Sequence, residues 1–300
     1  MKNTNNRIVG IIYVLLGASF WGIGGTAAHY LFETAHINVN WYVSTRLVLS
    51  GILLLGMQLL LSGRETVFAV WKDPKKSLSL IIFSLFGMLL VQYSYMASIA
   101  EGNAAVATLL QYLAPIYIII WVIFRGQQRM QTSDVIAILL TIIGTLLLLT
   151  NGSFKGLSVS SIAVIWGVIS GISLAFYTLY ARNLLRFYSS VTVVGWAMII
   201  AGICMNVIHP IWKVEMQDWS AATIGVLGFT IIFGTTLAFW MFIKSLEYLE
   251  AKETTLLGTV EPLTAVVSSV IWLNIPFGFW QVIGMGLILM LVLYLSLAKK

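Results

Sequence analysis

Two charged residues stand inside long apolar runs. Glu261 precedes Pro262 in LLGTVEPLTAVVSSVIW (256–272), and Arg46 lies in STRLVLSGILLL (44–55). An unpaired charge at the centre of a bilayer costs roughly 2.5 kcal/mol or more, so each must be paired, neutralised or wetted. Three fates for Glu261 stay open: an ion pair with Arg46, a proton-titrating group, or a seat for a cationic ligand. At 1.5 Å per helical residue the two differ in depth by roughly 7 Å, a gap that long side chains span if their helices are neighbours. For Arg46 the readings are a structural pair, a guanidinium snorkelling to the outer interface, or an anion site.

The proline beside Glu261 has an echo. SIAEGNAAVATLLQYLAP (98–115) and SLEYLEAKETTLLGTVEP (245–262) agree at 6 of 18 positions, 147 residues apart. Pro115 and Pro262 close the two stretches. Each lacks an amide hydrogen and so frees the carbonyl four residues earlier, that of Gln111 and that of Gly258. In hydrocarbon such a carbonyl needs a new partner from a neighbouring helix, a side chain or water. Thr108, Gln111, Tyr112 and Pro115 share one helical face, as do Thr255, Gly258, Thr259 and Pro262. Two polar, kinked faces at mid-membrane depth predict a solvated cavity between them. With Trp21 and Gln92, the candidate substrate contacts are Trp21, Gln92, Gln111, Tyr112, Thr259 and Glu261, with Arg46, Pro115 and Pro262 as structural or gating residues.

The elements that must hold these residues follow from composition. The chain has 300 residues, 59% hydrophobic and 9% charged, against about 25% charged in a soluble domain. Apolar runs of roughly 20 residues, each long enough to cross a ~30 Å hydrocarbon core, recur throughout. Ten spans are expected, over 8–31, 40–62, 77–98, 103–124, 134–150, 160–182, 190–211, 220–243, 253–273 and 277–297. The short alternating segments of a membrane barrel are absent. One set of alternate loops, with both termini, carries 14 Lys and Arg, the opposite set carries 2, and Arg46 is the remaining one of 17. That asymmetry places both termini in the cytoplasm and accounts for the net charge of +6 without nucleic acid.

Several features have plainer uses. Small residues at four-residue spacing, Ala163, Gly167, Gly171 and Ala175 in one run and Ala18, Gly22 and Thr26 in another, let helices approach closely. Gly22, Gly24 and Gly25 together also weaken the first span. Trp41, Trp71, Trp121, Trp212, Trp219, Trp272 and Trp280 fall near span ends, where aromatic belts sit. His29, His36 and His209 make no metal spacing, and the lone Cys204 cannot form an internal disulfide. No metal or cofactor is expected. No nucleophile elbow, zinc-binding helix or phosphate-cradling glycine loop occurs, so an enzyme is not expected either.

Together, GASFWGIGGTAAHYLF (17–32), the Arg46 segment, the two stretches ending in LAP and VEP, and QVIGMGLIL (281–289) resemble the EamA-like family of the drug/metabolite transporter superfamily, over almost the whole chain. Arg46 matches the arginine common in that family's second span, and Glu261-Pro262 its ninth-span Glu-Pro. Many members carry a glutamate just after spans 4 and 9; here those stretches read FRGQQRM and LNIPFGF. The resemblance implies an all-α membrane protein of ten helices, two inverted five-helix repeats around a central cavity. The repeats would span 1–152 and 153–300, an arrangement recurrent in secondary transporters. It implies movement of a small metabolite across the cytoplasmic (inner) membrane by alternating access, with an amino acid or amine favoured and export the family habit. The expected partners are that small molecule, the lipid bilayer and, as one option, protons. A passive facilitator with the same cavity is the alternative, and an integral-membrane lipid-modifying enzyme a more distant one.

Overall fold

A computed structural model of the chain describes residues 4–126, 129, 132–153, 157–214, 220–249, 254 and 257–298. Among them the regular structure is helical throughout, with no strand. In chain order the helices are α1 (Thr4–Glu33), α2 (Val39–Phe68), α3 (Pro74–Ala100), α4 (Ala104–Phe124), α5 (Thr132–Thr150), α6 (Ser161–Leu185), α7 (Ser190–Ile208), α8 (Ala221–Ser245), α9 (Val260–Leu273) and α10 (Phe279–Ala298). Seven are long and apolar enough to cross a membrane. Ile138–Thr150, Val260–Leu273 and Phe279–Met290 are shorter apolar helical stretches. Residues 253, 255 and 256 of the expected ninth span, Thr255 among them, lie outside the described residues.

Local chemistry sets many of the helix starts. Asn38, Asp73, Asn103, Ser160, Ser189 and Ser220 each offer a side-chain oxygen to backbone amides of the first turn, satisfying donors that the helix itself leaves unpaired. Asn274 ends α9 in the left-handed conformation (φ 53°), which Asn tolerates better than most residues. Large apolar side chains such as Val207, Ile271 and Phe124 stay exposed. A lipid-facing surface leaves them so, because hydrocarbon is no worse a solvent for them than a protein core.

Helix pairing has a pattern. α2 packs on α7, and α5 on α10; α1 packs on α8 and α9, and α6 on α3 and α4. Exchanging the first five helices for the last five leaves this scheme unchanged. The stripes of small residues make the close contacts. Gly22 of α1 abuts Thr264 and the Glu261 carbonyl on α9, while Gly171 of α6 lies against Tyr117 and the Leu110 carbonyl on α4. Gly144 and Gly284 face each other where α5 crosses α10. Thr26 completes the first stripe by placing its hydroxyl 2.7 Å from Ser268 Oγ and 3.1 Å from Ser269 Oγ on α9.

Two sequence expectations change here. α1 is one continuous helix through Gly22, Gly24 and Gly25; a Cβ on Gly24 would come 2.9 Å from Gly234 Cα, so that glycine admits α8 rather than loosening α1. Trp41 is buried instead of belonging to an interfacial belt, because its indole N–H donates to the Ile211 carbonyl at 2.9 Å. Trp71, Trp121, Trp212, Trp272 and Trp280 are exposed, and Trp219 lies outside the described residues.

Candidate functional site

Four departures from regular α geometry contribute residues to one region of the bundle. α4 breaks at Tyr112–Leu113, between Ala104–Gln111 and Ala114–Phe124. Thr259 forms the corresponding turn ahead of α9. Wide π-type turns occupy Phe83–Leu89 of α3 and Ile232–Leu237 of α8. In the latter, the Thr235 and Thr236 hydroxyls donate to carbonyls five residues back, Thr230 and Ile231, at 2.8 and 2.9 Å. Widened turns of this kind are rare and concentrate at functional sites. The four irregularities fall in equivalent helices of the two halves.

Around them lies a cavity of about 530 Å³, lined from α1 to α4 and α6 to α9. That volume is in the range of small-molecule sites. Its walls are mostly apolar and aromatic. Trp21 meets Phe239 and Phe242 with ring centroids 4.9 Å away in each case, and Phe83 meets Tyr177 at 4.7 Å. The lining reaches Leu185, Ser190 and Leu246, at the helix ends on the Lys- and Arg-rich side of the chain, and includes nothing from the connection before α2.

The polar groups of the lining are few and sharply placed. Arg46 is 5% exposed and its Nη2 donates to Gln92 Oε1; its Nε is buried without a partner. Gln111 Nε2 donates to Ser170 Oγ at 2.7 Å, tying the α4 break to α6. The Tyr112 hydroxyl stands 3.0 Å from Glu261 Oε2 and 3.0 Å from the Gly258 carbonyl oxygen. Gly258 O is the carbonyl that Pro262 deprives of its helical donor, so the partner that hydrocarbon demands comes from the opposite half. Tyr95 pairs with Thr108 Oγ1 at 2.7 Å.

Of the sequence-derived candidates, Trp21, Arg46, Gln92, Gln111, Tyr112 and Glu261 line this cavity together. Thr259 is buried in the break ahead of α9 and is not part of the lining. Pro262 is buried at the start of α9; Pro115 lies at the start of the second segment of α4, and its side chain is outside what is described. An ion pair between Arg46 and Glu261 does not form: the guanidinium turns to Gln92 and the carboxyl to Tyr112. Nor does Arg46 snorkel, since it is buried in the protein. Sequence reasoning passed over Phe83, Thr235, Phe239 and Phe242. The usable signal was the Thr-Thr pair beside Gly234, which the periodicity of an apolar run hides. Among the described residues no group of His, Cys, Asp and Glu is placed to hold a metal ion.

Comparison with known proteins agrees with this architecture. The model of the EamA-like transporter family matches residues 8–150 and 161–297. The "Uncharacterized inner membrane transporter YicL" of Salmonella typhimurium is 32% identical over 97% of this chain and 96% of its own length. An "Uncharacterized transporter" of Archaeoglobus fulgidus is 25% identical over 96% of this chain and 99% of its own. Bacillus subtilis YwfM, of the same description, is 24% identical over 96% and 94%. A solved crystal structure superposes with a TM-score of 0.65 at 14% identity, covering 98% of this chain and 97% of its own, which speaks to the fold alone.

Proposed function

This chain belongs to the EamA-like transporter family, a multi-pass membrane protein of the kind that carries small solutes, and on that footing we propose what it carries and how. It moves an amino acid or amine out of the cytoplasm by alternating access, as ten spans in two inverted halves with both termini inside. The helix-pairing scheme that survives exchange of the halves supports that architecture. Five spans per half thread the second half upside down, and the breaks and π-type turns at equivalent places supply the hinges.

One observation carries the substrate reading: Arg46 and Glu261 share a cavity without neutralising each other. A buried charge is costly unless it is paired, and two buried groups able to carry opposite charges that stand apart suit a ligand bearing both complements. A zwitterion does so, with its carboxylate toward the free Nε of Arg46 and its ammonium toward Glu261. The aromatic walls take the side chain. Because the lining reaches the helix ends on the basic side, this arrangement is the one that loads from the cytoplasm.

The test is flux in proteoliposomes with leucine, leucinamide and N-acetyl-leucine, which delete each charge in turn. Leucine is expected to move, and to move faster when leucine waits on the opposite side; equal flux with and without that counter-substrate points to a passive facilitator. If leucinamide moves as well as leucine in both wild type and Arg46→Gln, the carboxylate site is wrong. If none of the three moves, the amino-acid reading fails.

A further inference from the structure

The Tyr112 hydroxyl has a single hydrogen and faces two acceptors at 3.0 Å, Glu261 Oε2 and the Gly258 carbonyl. If Glu261 is ionised, that hydrogen goes to one acceptor, and the other is left without a donor. The loser is expected to be the Gly258 carbonyl, because a carboxylate is the stronger acceptor. Pro262 has already removed that carbonyl's helical donor. If Glu261 is neutral, its O–H donates to the phenol oxygen, the phenol donates to Gly258, and every group in the chain is satisfied. The surroundings agree. Tyr112 on α4 and Tyr95 on α3 are the titrating groups near Glu261, and Arg46 on α2, which lines the same cavity, is committed to Gln92. α1, packed along α9, has no titratable residue between Tyr13 and His29, and α8 presents Phe239 and Phe242 to the cavity.

We propose that Glu261, Tyr112 and the Gly258 carbonyl form a one-proton store, and that the proton leaves when a cationic group enters the cavity, making the carrier a proton exchanger. On exchange the Glu261 O–H bond breaks, the electron pair stays on the carboxylate, the proton passes to water in the cavity, and the ligand's ammonium takes the counter-charge role. Tyr112 then turns its hydrogen to the carboxylate, and Gly258 loses its donor. Loading therefore weakens the chain at the break ahead of α9, the place where a rocking half must bend. The exchange step rests on the transport reading above; the store does not.

The two are separable by experiment on the full chain in lipid nanodiscs. Infrared difference spectra recorded across a pH titration are expected to show the carbonyl stretch of a protonated carboxyl. The band is expected to vanish in Glu261→Gln and to shift in Tyr112→Phe, where the phenol no longer relays the bond. Absence of that band at every pH, or its survival in Glu261→Gln, overturns the store. Leucine and tetraethylammonium, neither of which releases a proton near neutrality, are then added to weakly buffered protein with a pH indicator. Release of a proton per ligand bound, lost in Glu261→Gln, is expected. A band without release, whether or not either probe binds, overturns the exchange and leaves the store standing. Leucine flux that persists in that case leaves the transporter reading intact.

Discussion

The break in α4 and the break ahead of α9 are alike in shape and unlike in chemistry. Both sit three residues before a proline and face the same cavity. The α4 break is neutral: Gln111 reaches Ser170 across the interface with α6, and Ala114 stands where the other half has Glu261. The other carries the acid, and its freed carbonyl borrows the hydroxyl of Tyr112 from α4. Two breaks at corresponding places in the helix-pairing scheme can therefore differ in charge, with the acid on one side of the cavity only. Backbone geometry and the placement of charge are separable in this molecule.

The largest effect is expected from filling the glycine packed behind each break. Gly22 abuts backbone of α9 as well as Thr264, whereas Gly171 meets chiefly the Tyr117 ring and one carbonyl. Overpacking typically costs 1–3 kcal/mol, and more where backbone is the obstacle. Gly22→Val is expected to lose folded protein outright in detergent size-exclusion profiles, and Gly171→Ala to lower the midpoint in a thermal-unfolding assay by a few degrees. Equal effects would mean that the two small-residue stripes carry the same load.

Removing the hydroxyl that bridges the breaks comes next. Tyr112→Phe leaves a buried carbonyl without its donor, a cost of about 1–3 kcal/mol. Ser170→Ala removes a neutral side-chain partner from Gln111, at the lower end of the same range. Thermal unfolding in detergent should rank Tyr112→Phe below Ser170→Ala; the reverse order would place the weight on the α4 side. Smallest of all, Gly225→Ala and Gly228→Ala, where a Cβ meets nothing within 4 Å, should raise stability by about 0.5–1 kcal/mol each through helix propensity. They calibrate what a helical glycine costs when no neighbour needs it.

Much of this frame was legible in the sequence. Long apolar runs, capping residues and the two small-residue stripes act locally or at helical spacing, so α1, α2 and α6 could be placed from residue order. Six of the proposed site residues meet in one cavity: Gln111, Tyr112 and Glu261 lie in the stretches that the proline echo marked, and Trp21, Arg46 and Gln92 reach it from α1, α2 and α3. Thr259 did not join them. Its position beside Gly258 was correct, but the turn it makes points it elsewhere, and one residue of rotation cannot be read from spacing.

Composition and pattern determined that this chain is a bundle of membrane helices with two proline-marked breaks half a chain apart, since every apolar run must satisfy its own backbone polar groups in lipid. Tertiary structure decided the partners. That Arg46 takes Gln92, and that Glu261 takes Tyr112 from the other half instead of Arg46, depends on which helices touch and how each is rotated. The pairing energy of a buried polar group is set by contacts across the fold, which residue order along one helix does not contain.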